Sequence, residues 1–150
     1  MDYYFNTKSH SSFEQTVQLV TNALKAEGFR VLTKINIRKT LKDKLGIDFR
    51  KYKILGAYNP DYAYKALLEE DKIGVILTCN VIVQETTDGT IEVAAGNPVA
   101  SMLAIENPIL IDIAIEIQNK LRTVIDELNK VILKIETPKS VFMLKHKNLV

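Results

Sequence analysis

Among the 150 residues, the side chain that most invites covalent chemistry is the single thiol, Cys79. A thiol enzyme needs an accessible thiolate, activated by a nearby histidine, a cation or a helix N-terminus. Cys79 lies between Leu77 and Val81 in an alternating apolar segment, a placement that reads as a small buried hydrophobe. The two histidines, His10 and His146, lie towards opposite ends of the chain, and no GxSxG elbow is present, so no catalytic triad can be assembled. HExxH, CxxC and clustered His/Cys ligands are absent, so no metal is expected. Gly46 and Gly56 stand alone outside any P-loop or GxGxxG pattern, and no cofactor is expected. Glu69, Glu70 and Asp71 read as a solvated helix end.

Binding is better represented than catalysis. Tyr52, Tyr58, Tyr62 and Tyr64 surround an Asn59-Pro60 turn, and rigid amphipathic rings of this kind line pockets, line interfaces or cover sheet edges. Asn80 points away from Cys79 on the same segment, beside Thr78 and Ile82. Tyr58, Asn59, Tyr64 and Asn80 are therefore the candidate ligand-binding residues, with Cys79 as the candidate thiol.

These residues must be held by elements whose periodicities alternate in order. Tyr3, Phe5 and Thr7 alternate against Tyr4, Asn6 and Lys8 in a first strand. Ser11 and Glu14 read as a capping box before a helix with Phe13, Val17, Val20 and Leu24 on one stripe, stopped by Gly28. A second strand puts Phe29, Val31, Thr33, Ile35 and Ile37 on one face. A short charged helix from Arg38 to Leu45 and a third strand from Lys51 to Tyr58 follow. Asn59-Pro60, Asn97-Pro98 and Asn107-Pro108 each read as a helix start, with Asn as cap and Pro at the first helical position. Ile73 to Glu85 reads as the central strand, joined to Ile91, Val93 and Ala95 by an Asp88-Gly89 hairpin turn. The expected fold is α+β, in the order βαβ(α)βαββα: a mainly antiparallel sheet with helices packed on one face and a long C-terminal helix.

In that last helix Leu110, Ala114, Ile117, Leu121, Val124, Leu128, Val131 and Ile135 step by four and three without a break. From Pro108 to Glu136 it would be ~44 Å long, against about 38 Å for a compact globule of this size. Either part of it overhangs to meet a second subunit, giving a homodimer, or it breaks near Asn129. Residues 1–136 are read as one domain and 137–150 as an apolar and basic extension, whose Val141, Phe142, Met143 and Leu144 either dock or form a loose terminus.

Composition narrows the function classes. The chain is 47% hydrophobic and 25% charged, which is ordinary for a globular domain. No apolar run is long enough to span a bilayer, and the N-terminus has no signal-peptide pattern. One cysteine cannot form an internal disulfide, which suits a cytoplasmic location. Net charge is +2, and without Lys139, Lys145 and Lys147 of the extension 17 basic residues face 18 acidic ones. That balance argues against a nucleic-acid binder, and no membrane partner is expected.

From Gly28 to Glu85 the chain carries GF-VLT-I, TLK-KLG-DF, Y-ILGA-NP, A-Y-AL and IG--L-CNV-V-E, followed by VAA-NP. In these pieces, over roughly Tyr3 to Leu128, it resembles the domain-of-unknown-function 302 family. The resemblance implies a compact α+β fold, an antiparallel sheet with a long C-terminal helix, dimers among members, and no established activity. It also implies departures: a Cys is common where this chain has Tyr58, a His where it has Tyr64, and a Pro where it has Thr78. Of a Cys–Cys–His set only Cys79 remains. The expected function is a non-enzymatic, dimeric domain that binds a small molecule or a protein partner. The alternative is a thiol-dependent enzyme or redox sensor centred on Cys79.

Overall fold

Local sequence signals set most of the element boundaries. In the computed structural model, which describes residues 1–149 and side chains as far as Lys130, the first strand, β1, is Tyr4–Ser9 and the first helix, α1, is Phe13–Ala26. The α1 cap is Ser12, one residue beyond the expected Ser11. The Ser12 hydroxyl accepts from the Gln15 amide at 3.1 Å, while the Ser11 amide turns back to the Ser9 hydroxyl. Gly28, at φ 85°, ends α1, and the Phe29 amide reaches back to the Leu24 carbonyl at 3.0 Å. Next come β2 (Arg30–Asn36), α2 (Ile37–Leu45), β3 (Tyr52–Tyr58) and α3 (Pro60–Glu69). They are followed by β4 (Cys79–Glu85), β5 (Ile91–Gly96), α4 (Pro98–Met102) and α5 (Pro108–Leu149).

All three Asn-Pro pairs open helices, and the three asparagines then diverge. Asn107 and Asn97 accept from the amides of Ile109 (2.9 Å) and Val99 (3.1 Å). The Asn59 carboxamide instead donates to the Glu27 carbonyl at 3.3 Å, tying the start of α3 to the end of α1.

The sheet order is β1-β5-β4-β3-β2, with every neighbouring pair antiparallel. Alternation divides it into two faces. Leu55, Ala57, Val81, Val83, Ile91, Val93 and Ala95 are buried on one face, beneath helices whose own apolar residues (Val20 and Leu24 of α1, Ala66 of α3, Leu110, Leu121 and Val124 of α5) complete the core. The expected α5 stripe is buried from Leu110 to Leu128. Its continuation at Val131 and Ile135, and the side chains from Val141 to Leu144, lie outside the described side chains. Helix α5 runs on past Asn129.

Two expectations about the strands need correction. Ile73 to Thr78 is not strand: Ile73–Val75 forms a turn of 3-10 helix, and the central strand begins only at Cys79. A strand needs a partner, and the β3 ladder ends with the pair Ala57–Cys79, because Asn59-Pro60 then turns the chain into α3. Likewise Phe29 to Ile37 do not share one face. The register slips between Val31 and Thr33, so Val31 pairs with inward Ala57 while Thr33 and Ile35 pair with outward Gly56 and Ile54, and Ile37 starts α2. One extra residue in a strand flips everything after it.

Candidate functional site

Among the described residues, the face opposite the helical core is where side chains converge without helices above them. Tyr4, Asn6 and Lys8 of β1 pair with Gly96, Ala94 and Glu92 of β5. Ile82 and Gln84 of β4 sit opposite Ala94 and Glu92 on one side, and opposite Ile54 and Tyr52 of β3 on the other. Small residues make the floor low. At Gly56, which pairs with Asn80 and Thr33, a Cβ would collide with the Thr33 hydroxyl, so only glycine lets these strands carry Thr33 in place.

A concavity of about 530 Å³ results, within the range of small-molecule sites. Ile82, Ala94 and Gly96 form its floor, Tyr3 and Tyr4 stand along one side, and Arg50 and Tyr52 along the other. The Tyr3 and Tyr4 rings meet edge to face at 4.8 Å. A polar chain borders the floor. The Arg50 Nε donates to the Gln84 Oε1 at 3.0 Å, the Gln84 Nε2 donates to the Glu92 Oε1 at 2.7 Å, and the Asn6 Nδ2 donates to the Glu92 Oε2 at 2.9 Å. The Arg50 guanidinium also lies over the Phe49 ring, at 4.4 Å, and the Tyr52 ring, at 5.5 Å.

The sequence-derived candidates do not gather in one place. Asn80 borders this concavity. Asn59 is buried, is committed to Glu27, and borders a separate depression with Tyr62, Lys65 and Lys120. Tyr58 follows Gly56 on the outward side of β3, opposite Arg30. Tyr64 is exposed on α3. Of the other residues lining the concavity, only Tyr52 belongs to the tyrosine cluster legible in the sequence. Alternation along β4 was the available signal, since Asn80, Ile82 and Gln84 share a face.

Cys79 faces the other way. It pairs with Ala57 on the helix-covered side and packs against the core. Burial pushes its thiol up to about 11, which leaves it protonated at neutral pH. Among the described residues, no group of three or more His, Cys, Asp or Glu is placed to hold a metal ion, and no helix is long and apolar enough to cross a membrane.

These features define an α+β domain with one packed and one open sheet face. The model of the domain of unknown function DUF302 matches residues 5–128, and the chain belongs to that family. Among solved structures it is similar to an uncharacterised conserved DUF302 protein from Bacillus stearothermophilus. The identity is 27%, the TM-score 0.78, and the match covers 84% of this chain and 98% of that one. No curated protein matches the chain.

Proposed function

We propose that this protein is a non-enzymatic, dimeric cytoplasmic domain that binds a small molecule on the uncovered face of its sheet. The observation that carries the reading is the concavity between Tyr3–Tyr4 and Arg50–Tyr52, where aromatic walls, an apolar floor and a few polar groups converge. Of the sequence-derived candidates, Asn80 belongs to it; Tyr58 would flank it from the same side of the sheet, and Asn59 and Tyr64 would support the fold or an outer surface. The inward, protonated thiol of Cys79 favours binding over thiol chemistry.

Pairing of two chains rests on α5. Its 42 residues make a helix of about 63 Å, well beyond the ~38 Å expected of the body. Residues 1–136 would then be the domain and 137–150 an extension. Light scattering should give twice the 17.0 kDa chain mass, and a monomer at micromolar concentration removes the dimer from the proposal.

A fragment screen by ligand-observed NMR tests the surface. Ala94→Trp puts a large ring on the floor from a half-buried position that points away from the core. Fragments that bind the native protein should lose binding to this variant. Retained binding would show that another surface is used.

A further inference from the structure

Resting on that reading, we infer that the concavity takes a planar organic anion, an aromatic or conjugated carboxylate, with Arg50 as its anion-binding group. Three features of the surface specify this class. The floor, built from Ala94, Gly96 and Ile82, is low and apolar, and it offers a flat molecule contact along a whole face. The walls are tyrosine rings, which pack against flat π-systems at little cost in side-chain freedom. Charge at the rim is partitioned by the hydrogen bonds already made. Both carboxylate oxygens of Glu92 receive amide donors, from Gln84 and Asn6. Among the described residues, Arg50 commits only its Nε, to Gln84, and its guanidinium lies over the Phe49 and Tyr52 rings. The terminal Nη groups are left to serve as a two-pronged donor, the geometry a carboxylate matches best. An ammonium ligand would meet Glu92 with its charge already shared with two amide donors, and would face the Arg50 cation across the floor. A neutral ligand would leave the fork unused.

Three probes that share one ring system isolate the charge: naphthoate, naphthylmethanol and naphthylmethylammonium, titrated by calorimetry against the full chain. Naphthoate should bind about tenfold more tightly than the alcohol, the scale of one charge-assisted hydrogen-bonded pair, and the ammonium most weakly. Arg50→Gln should bring naphthoate to the level of the alcohol, and Arg50→Lys should recover part of the difference. Arg50 is exposed, so both variants should keep the native melting midpoint. Equal binding of all three probes, abolished together by Ala94→Trp, would overturn the anion class and leave the surface reading intact. A naphthoate preference that survives Arg50→Gln, or no naphthoate binding at millimolar concentration, would also overturn the inference. Binding that Ala94→Trp leaves unchanged would overturn the surface reading itself.

Discussion

The two faces of one sheet solve opposite problems. Leu55 and Ile54 are consecutive residues of β3, yet Leu55 is fully buried under the helices while Ile54 looks out beside Ile82. On the covered face side-chain volume decides stability, because every atom there has neighbours. On the open face hydrogen bonds hold side chains across strands with no described residue of the helical layer above them, as in the Arg50–Gln84–Glu92–Asn6 chain. The same backbone alternation yields both, so one parity anchors the fold while the other stays free of the core.

Substitutions that cross between the faces should expose this division. Leu55→Ala should cost about 3 kcal/mol by urea denaturation, whereas Ile82→Ala, on the open face, should cost about 1 kcal/mol or less. Equal costs would mean that both faces are packed in solution, as a dimer formed through the sheet would require.

Asn97 comes next. It is buried at 4% exposure, donates to the Asp2 carbonyl at 3.0 Å, and accepts from both the Val99 amide and the Gln118 side chain. It thereby joins the strand carrying the tyrosine wall to α4 and α5. Asn97→Ala should cost about 2 kcal/mol, through the lost cap and the donors left without an acceptor. It should also weaken probe binding by loosening the segment that carries Tyr3, because the lost carboxamide holds the carbonyl of neighbouring Asp2. Stability loss with unchanged binding would separate the wall from the hub.

Gly56→Ala, on the open face, should cost about 1–2 kcal/mol, because Thr33 must move to admit the methyl group. A neutral effect would show that β2 and β3 have slack there.

Near neutral pH the titration effects are the smallest, and they grow only towards the alkaline and acid ends. The folded Cys79 thiol holds its proton to about 11, against an ordinary value of 9.0. Between those values the unfolded chain releases a proton that the folded one keeps, so stability falls as pH rises through that window. Cys79→Ala should flatten this part of the profile relative to the native protein. Asp88 behaves oppositely: the Thr86 and Thr90 hydrogen bonds hold its carboxyl down at about 2. Its contribution is full above the ordinary value of 3.8 and fades as pH falls towards 2, a fading that Asp88→Asn should remove.

What the sequence reveals and what it hides divide along the same physical line. The three Asn-Pro helix starts, the end of α1 at Gly28 and the Asp88-Gly89 turn depend on residues within a few positions of each other, and all stand where expected. Ile73 to Thr78 has the alternation of a strand but no partner, and partnership is a property of the sheet. The slip in β2 between Val31 and Thr33 leaves no local mark either. The concavity draws Tyr4, Arg50, Tyr52, Ile82 and Ala94 from four strands and a loop. Asn80 and Tyr52 were visible in part through alternation and clustering, whereas Arg50 becomes a candidate only once Gln84 stands beside it.

The central claim is that recognition belongs to the uncovered face, and amide and side-chain shift mapping by NMR during a naphthoate titration tests it most directly. The account predicts saturable shifts at Tyr4, Arg50, Tyr52, Ile82, Ala94 and Gly96, with Val20, Leu24 and Leu121 of the helical side unmoved. Shifts centred instead on Asn59, Tyr62 and Lys120, or on the groove between α1 and α5, would contradict it.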